Sequence, residues 1–170
     1  FIKGYQFLTL TPQLLVVNTE SEGSWDPVGL EPLARGRRIL AFPFPEAAEV
    51  ARLSVEEQQE YAAALGLPGP AAEVVAQAAF EQLGLISFLT TGSDEVRAWP
   101  IRAGETAREA AGAIHSDIQR GFIRAEVVSY SDFMSHGSNM KACRDAGVLR
   151  VEGKDYVVQD GDIINFRFNV

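Results

Sequence analysis

A single cysteine, Cys143, and two histidines, His115 and His136, are spread over 170 residues. One thiol cannot close an internal disulfide, and three scattered donors make poor material for a zinc site, so a metal-free cytoplasmic protein is the expectation. No apolar run approaches the ~18 residues that a membrane span needs, so no membrane role is expected. There is no G-x-x-x-x-G-K-[ST] either. Without that loop, backbone N–H groups and a lysine cannot wrap the β and γ phosphates of a nucleotide, so phosphoryl transfer by this chain alone is not expected and no catalytic residue is assigned. The opening Phe1-Ile2-Lys3-Gly4 has no initiator methionine, no long apolar stretch and no transit-peptide bias, which makes a fragment of a longer protein the expectation.

The composition, 46% apolar and 22% charged with 15 Gly and 8 Pro, is that of an ordinary globular chain and excludes disorder, collagen and low complexity. The length accommodates one domain or two small ones. Net charge is −8, unevenly spread: residues 1–85 hold five basic and eleven acidic side chains, residues 86–170 ten and twelve. The second half is therefore the better candidate for a nucleic-acid surface, although no dense Lys/Arg cluster marks it for sequence-specific DNA.

Gln13 to Asn18 is a continuous apolar run led in by Pro12, the pattern of a strand buried on both faces of a parallel sheet. A second run, Ile39 to Phe44, ends at Pro43 and Pro45. Residues 46–85 read as two helices. Ser54 and Glu57 have capping-box spacing and Gly66 is placed to stop the first; the second starts after Gly69-Pro70 and meets Gly84. From Ile86 onward the order is strand, strand, helix, strand, a loop-and-helix insertion, then strands. Ile86–Thr91 and Val96–Ile101 flank Gly92-Ser93-Asp94 as a hairpin, and Thr106 and Glu109 cap one helix running to Gly121, with Ala107, Ala110, Ala111, Ile114 and Ile118 on its apolar face. Phe122–Val128 is a strand. Asp160-Gly161 then turns into a last strand with Ile164, Phe166, Phe168 and Val170 on one side and Ile163, Asn165, Arg167 and Asn169 on the other. One helix on a curved mixed sheet is the economical arrangement, so the fold class is α+β: a ubiquitin-like β-grasp at 85–170, preceded at 1–84 by a partial α/β segment and two helices.

Several residues carry candidate chemistry. Asn18 stands at the C-terminal end of a strand, where open α/β sheets bind ligands, and its amide suits either a purine edge or the cap of a helix or turn. Asp26-Pro27-Val28-Gly29 matches D-x-x-G but follows that strand instead of preceding it, and reads as a turn. His115 reads as a partly buried helical residue, His136 as exposed loop and Cys143 as core. Arg97, Arg102, Arg120, Arg124, Lys154 and Arg167, with the rings of Trp99 and Tyr130, suit either RNA phosphates and bases or a solvated face of local ion pairs.

Three groups of segments are familiar: Phe7 to Asn18, Leu85 to Gly92 and Glu95 to Trp99; Gly104 to His115 (GETAREAAGAIH) and Gly121 to Val127 (GFIRAEV); and the ending from Glu152 to Val170. In order and spacing they resemble the YchF or Obg-like ATPase family over essentially the whole chain. The resemblance implies the C-terminal portion of a P-loop NTPase, with residues 1–84 closing the nucleotide domain and bridging to a TGS domain at 85–170. It further implies ATP or GTP with magnesium in the full-length parent, no tightly bound cofactor on this portion, and association with the ribosome or ribosomal RNA. Asn18, Glu20, Ser21 and Phe44 would then flank the base, and Arg97, Trp99, Arg120, Arg124 and Lys154 would face the partner. The family's base-reading motif is N-x-x-E, whereas Ser21 stands here at the acid's position and Glu20 one place early, so the guanine N1 and N2 contacts are lost and base preference stays open. Two alternatives to docking are a regulatory domain covering the nucleotide site and a small-ligand TGS domain of a diverged paralogue.

Overall fold

A computed structural model describes residues 2–5, 7–21, 29, 34, 37–92 and 95–169. Asp26-Pro27-Val28 and the Ser93-Asp94 tip of the expected hairpin lie outside them. The chain divides into two compact units, Phe1–Leu83 and Gly84–Val170.

In the first unit, β1 (Leu14–Asn18) and β2 (Arg38–Phe42) pair in parallel, with Asn18 opposite Phe42. Contrary to the expectation from its apolar run, β1 is not buried on both faces: Val16 is 47% exposed. Among the described residues β1 has one strand neighbour, and an apolar run is buried only where something packs on it. The second apolar run also ends earlier than its hydrophobicity suggests. Phe44 is not strand but opens a helix, α1 (Phe44–Val50), because Pro45 in a first turn forfeits only an N–H that would have no helical partner. The helical stretch thus holds three helices instead of two: α1, α2 (Val55–Ala64) and α3 (Ala71–Leu83). The Ser54/Glu57 capping box forms, and Gly66 at φ +73° closes α2. Phe42, Ala47, Val50, Ala62 and Leu67 make the core of this unit.

The second unit is one sheet of five strands: β3 (Leu85–Thr91), β4 (Val96–Arg102), β5 (Phe122–Val128), β6 (Arg150–Glu152) and β7 (Ile163–Phe168), in the order β4-β3-β7-β5-β6. β3 and β7 run parallel in the middle and the other pairs are antiparallel. Helix α4 (Ala107–Ile114) lays Ala107, Ala110 and Ala111, all fully buried, on Phe88, Val127, Ile164 and Phe166. Methyl-sized side chains let the helix come close to the aromatic layer, where Phe88 meets Phe166 edge-on at 5.8 Å.

The expected single helix to Gly121 is broken. His115 is extended (φ −163°, ψ 143°), and a short α5 (Ser116–Arg120) follows. Gly112 weakens the last turn of α4 and makes room for Gln119, whose carboxamide would lie within 3.0 Å of any Cβ there. The insertion is two short helices, α6 (Tyr130–Ser135) and α7 (Met140–Asp145), capped by Ser129 and Asn139. They cover the other face of the sheet, packing Phe133 and Cys143 on Val128 and Ile163. Consecutive residues 127/128 and 163/164 therefore serve opposite faces, as pleating requires.

Gly121 joins α5 to β5 where the end of the chain passes: a Cβ there would meet the Asn169 carbonyl oxygen and lie 2.8 Å from its carbon. Gly121→Ala is expected to cost ~1–3 kcal/mol in denaturant melts, the usual effect of forced overpacking. Gly153→Ala, where nothing lies within 4 Å, is expected to be near neutral.

Candidate functional site

Strand pairing builds the first candidate region. Asn18 closes β1 and is exposed; its Oδ1 accepts from the Phe44 backbone N–H at 3.3 Å, so the side chain serves the start of α1. Its amide NH2 has no partner among the described residues. Phe44 stacks edge-on against the fully buried Phe42 at 5.3 Å and, itself partly buried, packs against the core of the unit. Glu20 and Ser21 are exposed just beyond the strand. The structure thus brings Asn18 and Phe44 together, and a ligand reaching this strand end would find an amide donor, one carboxylate and one hydroxyl.

The five candidate partner residues of the second unit fall on three surfaces. Arg97 and Trp99 share the α4-facing side of β4. The Arg97 guanidinium carbon sits 4.2 Å from the indole centroid, and the indole N–H donates to Thr90 Oγ1 at 2.9 Å, which fixes the ring. Arg120 and Lys154 line a cleft of about 540 Å³ with Arg108, Glu109 and Asp155. Arg120 is paired with Asp117, whereas Lys154 has no carboxylate partner among the described residues. Arg124 lies on the opposite face of the sheet from Trp99, two residues before Glu126 on β5.

Both histidines differ from their expected settings. His115 is exposed instead of partly buried in a helix; its Nδ1 accepts from the Asp117 N–H at 3.1 Å and caps α5. Since His115 is extended, the two side chains approach to 3.5 Å, which a continuous helix would prevent. His136 is half-buried at the end of α6 and not in exposed loop; its Nδ1–H donates to the Asp132 carbonyl at 2.7 Å. No group of three or more His, Cys, Asp or Glu placed to hold a metal is found among the described residues.

One charged centre is buried, where the sequence suggests only a solvated face of local ion pairs. Glu126 is 5% exposed, and its Oε2 accepts from Arg167 and Asn165, each at 3.1 Å, while Arg144 of α7 reaches Oε1 at 3.2 Å. Burial opposes its ionisation, but the Arg167 hydrogen bond, the charges of Arg167 and Arg144, and Asn165 outweigh that cost and hold the carboxyl below the usual range. The available signal was a glutamate between Ala125 and Val127, in the apolar half of the strand. Asp162, also buried, likewise accepts from Tyr156 Oη at 2.7 Å and from the Gln159 N–H at 3.0 Å, pinning the loop before β7.

The family model for the YchF GTPase C-terminal region, described as a protein of unknown function (DUF933), matches residues 85–169. The chain belongs to the YchF family. It is 42% identical over 177 residues to the ribosome-binding ATPase YchF of Bacillus subtilis strain 168, and 42% identical over 175 residues to that of Haemophilus ducreyi. Each alignment covers 99% of this chain and 48% of the relative, so the chain spans about half the length of the curated YchF proteins it matches. Among solved structures, that of the Schizosaccharomyces pombe YchF GTPase superposes with a TM-score of 0.77 at 28% identity, over 98% of this chain and 46% of the other.

Because Glu126 is held below the ordinary carboxylate value of 4.5, its contribution is complete above that value and is lost as pH falls through its lower folded value. The exposed capping glutamates Glu57 and Glu109 shift in the same direction, through hydrogen bonds from Ser54 and Thr106. Stability is therefore expected to decline below about pH 4.5. In Glu126→Gln the decline for the second unit is expected to be shallower, measured by chemical denaturation across pH 2.5–6 (~1-unit steps). An unchanged slope would contradict the assignment of charge to Glu126.

Proposed function

We propose that this chain is the ribosome-facing portion of a YchF nucleotide-binding protein: residues 1–84 close the nucleotide domain, and 85–170 form a TGS-like, ubiquitin-like grasp that docks on ribosomal RNA or protein. Catalysis is not a property of this portion, since it contains no phosphate loop. The full-length protein binds ATP or GTP with magnesium in the cytoplasm. This portion supplies the base side only, through the free amide of Asn18 with Glu20 and Ser21, while Phe44 supports the wall. Without an acid at position 21, guanine is not selected over adenine.

The observation that carries the docking reading is a set of exposed cations in the second unit, Arg97, Arg124 and Lys154, that have no carboxylate partner among the described residues. A phosphate-rich partner would supply each of these cations with the anion it lacks within the chain. The names of relatives, ribosome-binding ATPases, agree with that partner. Arg97 over Trp99 is suited to stacking on an unpaired base, and Arg120 with Lys154 to a phosphate in their cleft.

Cosedimentation of the chain with ribosomes tests this. Binding is expected at low salt and is expected to weaken by about ten-fold or more between 50 and 200 mM salt, as for a few phosphate contacts. The absence of binding at low salt would contradict the proposal.

A further inference from the structure

The open part of the sheet face beyond α6 and α7 carries an arrangement that folding alone does not favour. Arg124 on β5 and Arg167 on β7 are directly opposite each other in the antiparallel register. Residues so paired hold their Cβ atoms about 4.5–5.5 Å apart, and like charges there are destabilising. Arg144 enters the same region from α7. Against these three guanidinium groups stands one carboxylate, Glu126, which takes Arg167 at 3.1 Å and Arg144 at 3.2 Å and leaves Arg124 without an anionic partner among the described residues. The cluster is built and not merely scattered: Glu126 is 5% exposed, and Asn165 donates to the oxygen that Arg167 also uses. Arg144 and Arg167 remain half exposed, at 53% and 50%.

We propose that Arg124, Arg144 and Arg167, held in place by Glu126, form a binding site for the phosphodiester backbone of RNA on the sheet face opposite α4. The guanidinium fork suits phosphate oxygens, and a phosphate between Arg124 and Arg167 would relieve the like-charge contact that the empty face carries. Glu126 is a positioning residue: it spends one charge to orient two arginines and leaves a surplus of two positive charges at the surface. The site lies apart from the Arg97–Trp99 pair and from the Arg120–Lys154 cleft. It rests on the docking reading only for the choice of RNA as the source of phosphate.

The test uses the whole chain, a short RNA duplex as probe, and the variant Arg124→Gln, which removes the guanidinium that Glu126 does not hold and keeps the Glu126 pairs with Arg144, Arg167 and Asn165. Arg52→Gln, in the first unit and paired with Glu49, removes the same charge elsewhere. The affinity of Arg124→Gln is expected to fall several-fold at low salt, and its slope of log affinity against log salt to shrink by about one unit, near 0.9 per lost phosphate contact. Its melting temperature is expected to rise, because the like-charge pair is gone. Arg52→Gln is expected to keep the wild-type slope. If the wild type binds RNA and Arg124→Gln binds with the same slope, the site is overturned while the docking reading stands. If the wild type binds no RNA, the site is overturned, while the docking reading is decided by the ribosome cosedimentation. A lowered melting temperature in Arg124→Gln would also overturn the assignment, since it would mean that Arg124 is stabilised where it stands.

Discussion

The second unit depends on the pleat of its central strand, β7. Ile164 and Phe166 point to one side, into the layer that α4 covers, so Ile163, Asn165 and Arg167 must point to the other. A slip of one residue would exchange the faces, exposing two large apolar side chains and driving Arg167 into the core. Register on β5 follows: Ala125 and Val127 join the core, while Arg124, Glu126 and Val128 go to the opposite face. The same constraint that buries the hydrophobic layer therefore assembles the charged one.

That second face is divided along the strands. At one end Val128 and Ile163 are covered by Phe133 and Cys143 of the α6–α7 insertion. At the other, Glu126 is buried as a charge among Arg144, Arg167 and Asn165. Removing one arginine would leave the carboxylate with a single cation and Asn165, and removing both would leave a buried charge uncompensated, a loss of about 3–5 kcal/mol in comparable cases. A hydrophobic residue at 126 would extend the core at less risk, so the charge is better explained by the orientation it gives its two arginines than by stability.

Much of the second unit was legible from sequence because its signals are local and strong. The alternation from Ile163 to Phe168 fixed β7, Thr106 with Glu109 marked the start of α4, and Asp160-Gly161 marked the turn, where Gly161 has φ +77°. The break at His115 was not legible: Ile114 and Ile118 continue the helical period, and only the return of Gln119 against Gly112 and the cap made by His115 end the helix. In the first unit the apolar runs located both strands, but hydrophobicity cannot tell Phe42, the end of a strand, from Phe44, the start of a helix. The candidate sites were less legible than the elements. Uncommitted cations could be named from composition, yet their division among three surfaces depends on strand parity, and Glu126 acquires its partners only through pairing across 39 and 41 residues.

The central claim is that strand parity gives this module one apolar face for its helix and one arginine-bearing face for RNA. The most direct measurement is an NMR titration of the labelled chain with a short RNA duplex, following the guanidinium resonances. The account predicts that Arg124, Arg144 and Arg167 shift together and saturate at the same RNA concentration. Shifts confined to Arg108 and Arg120, with these three unmoved, would contradict it.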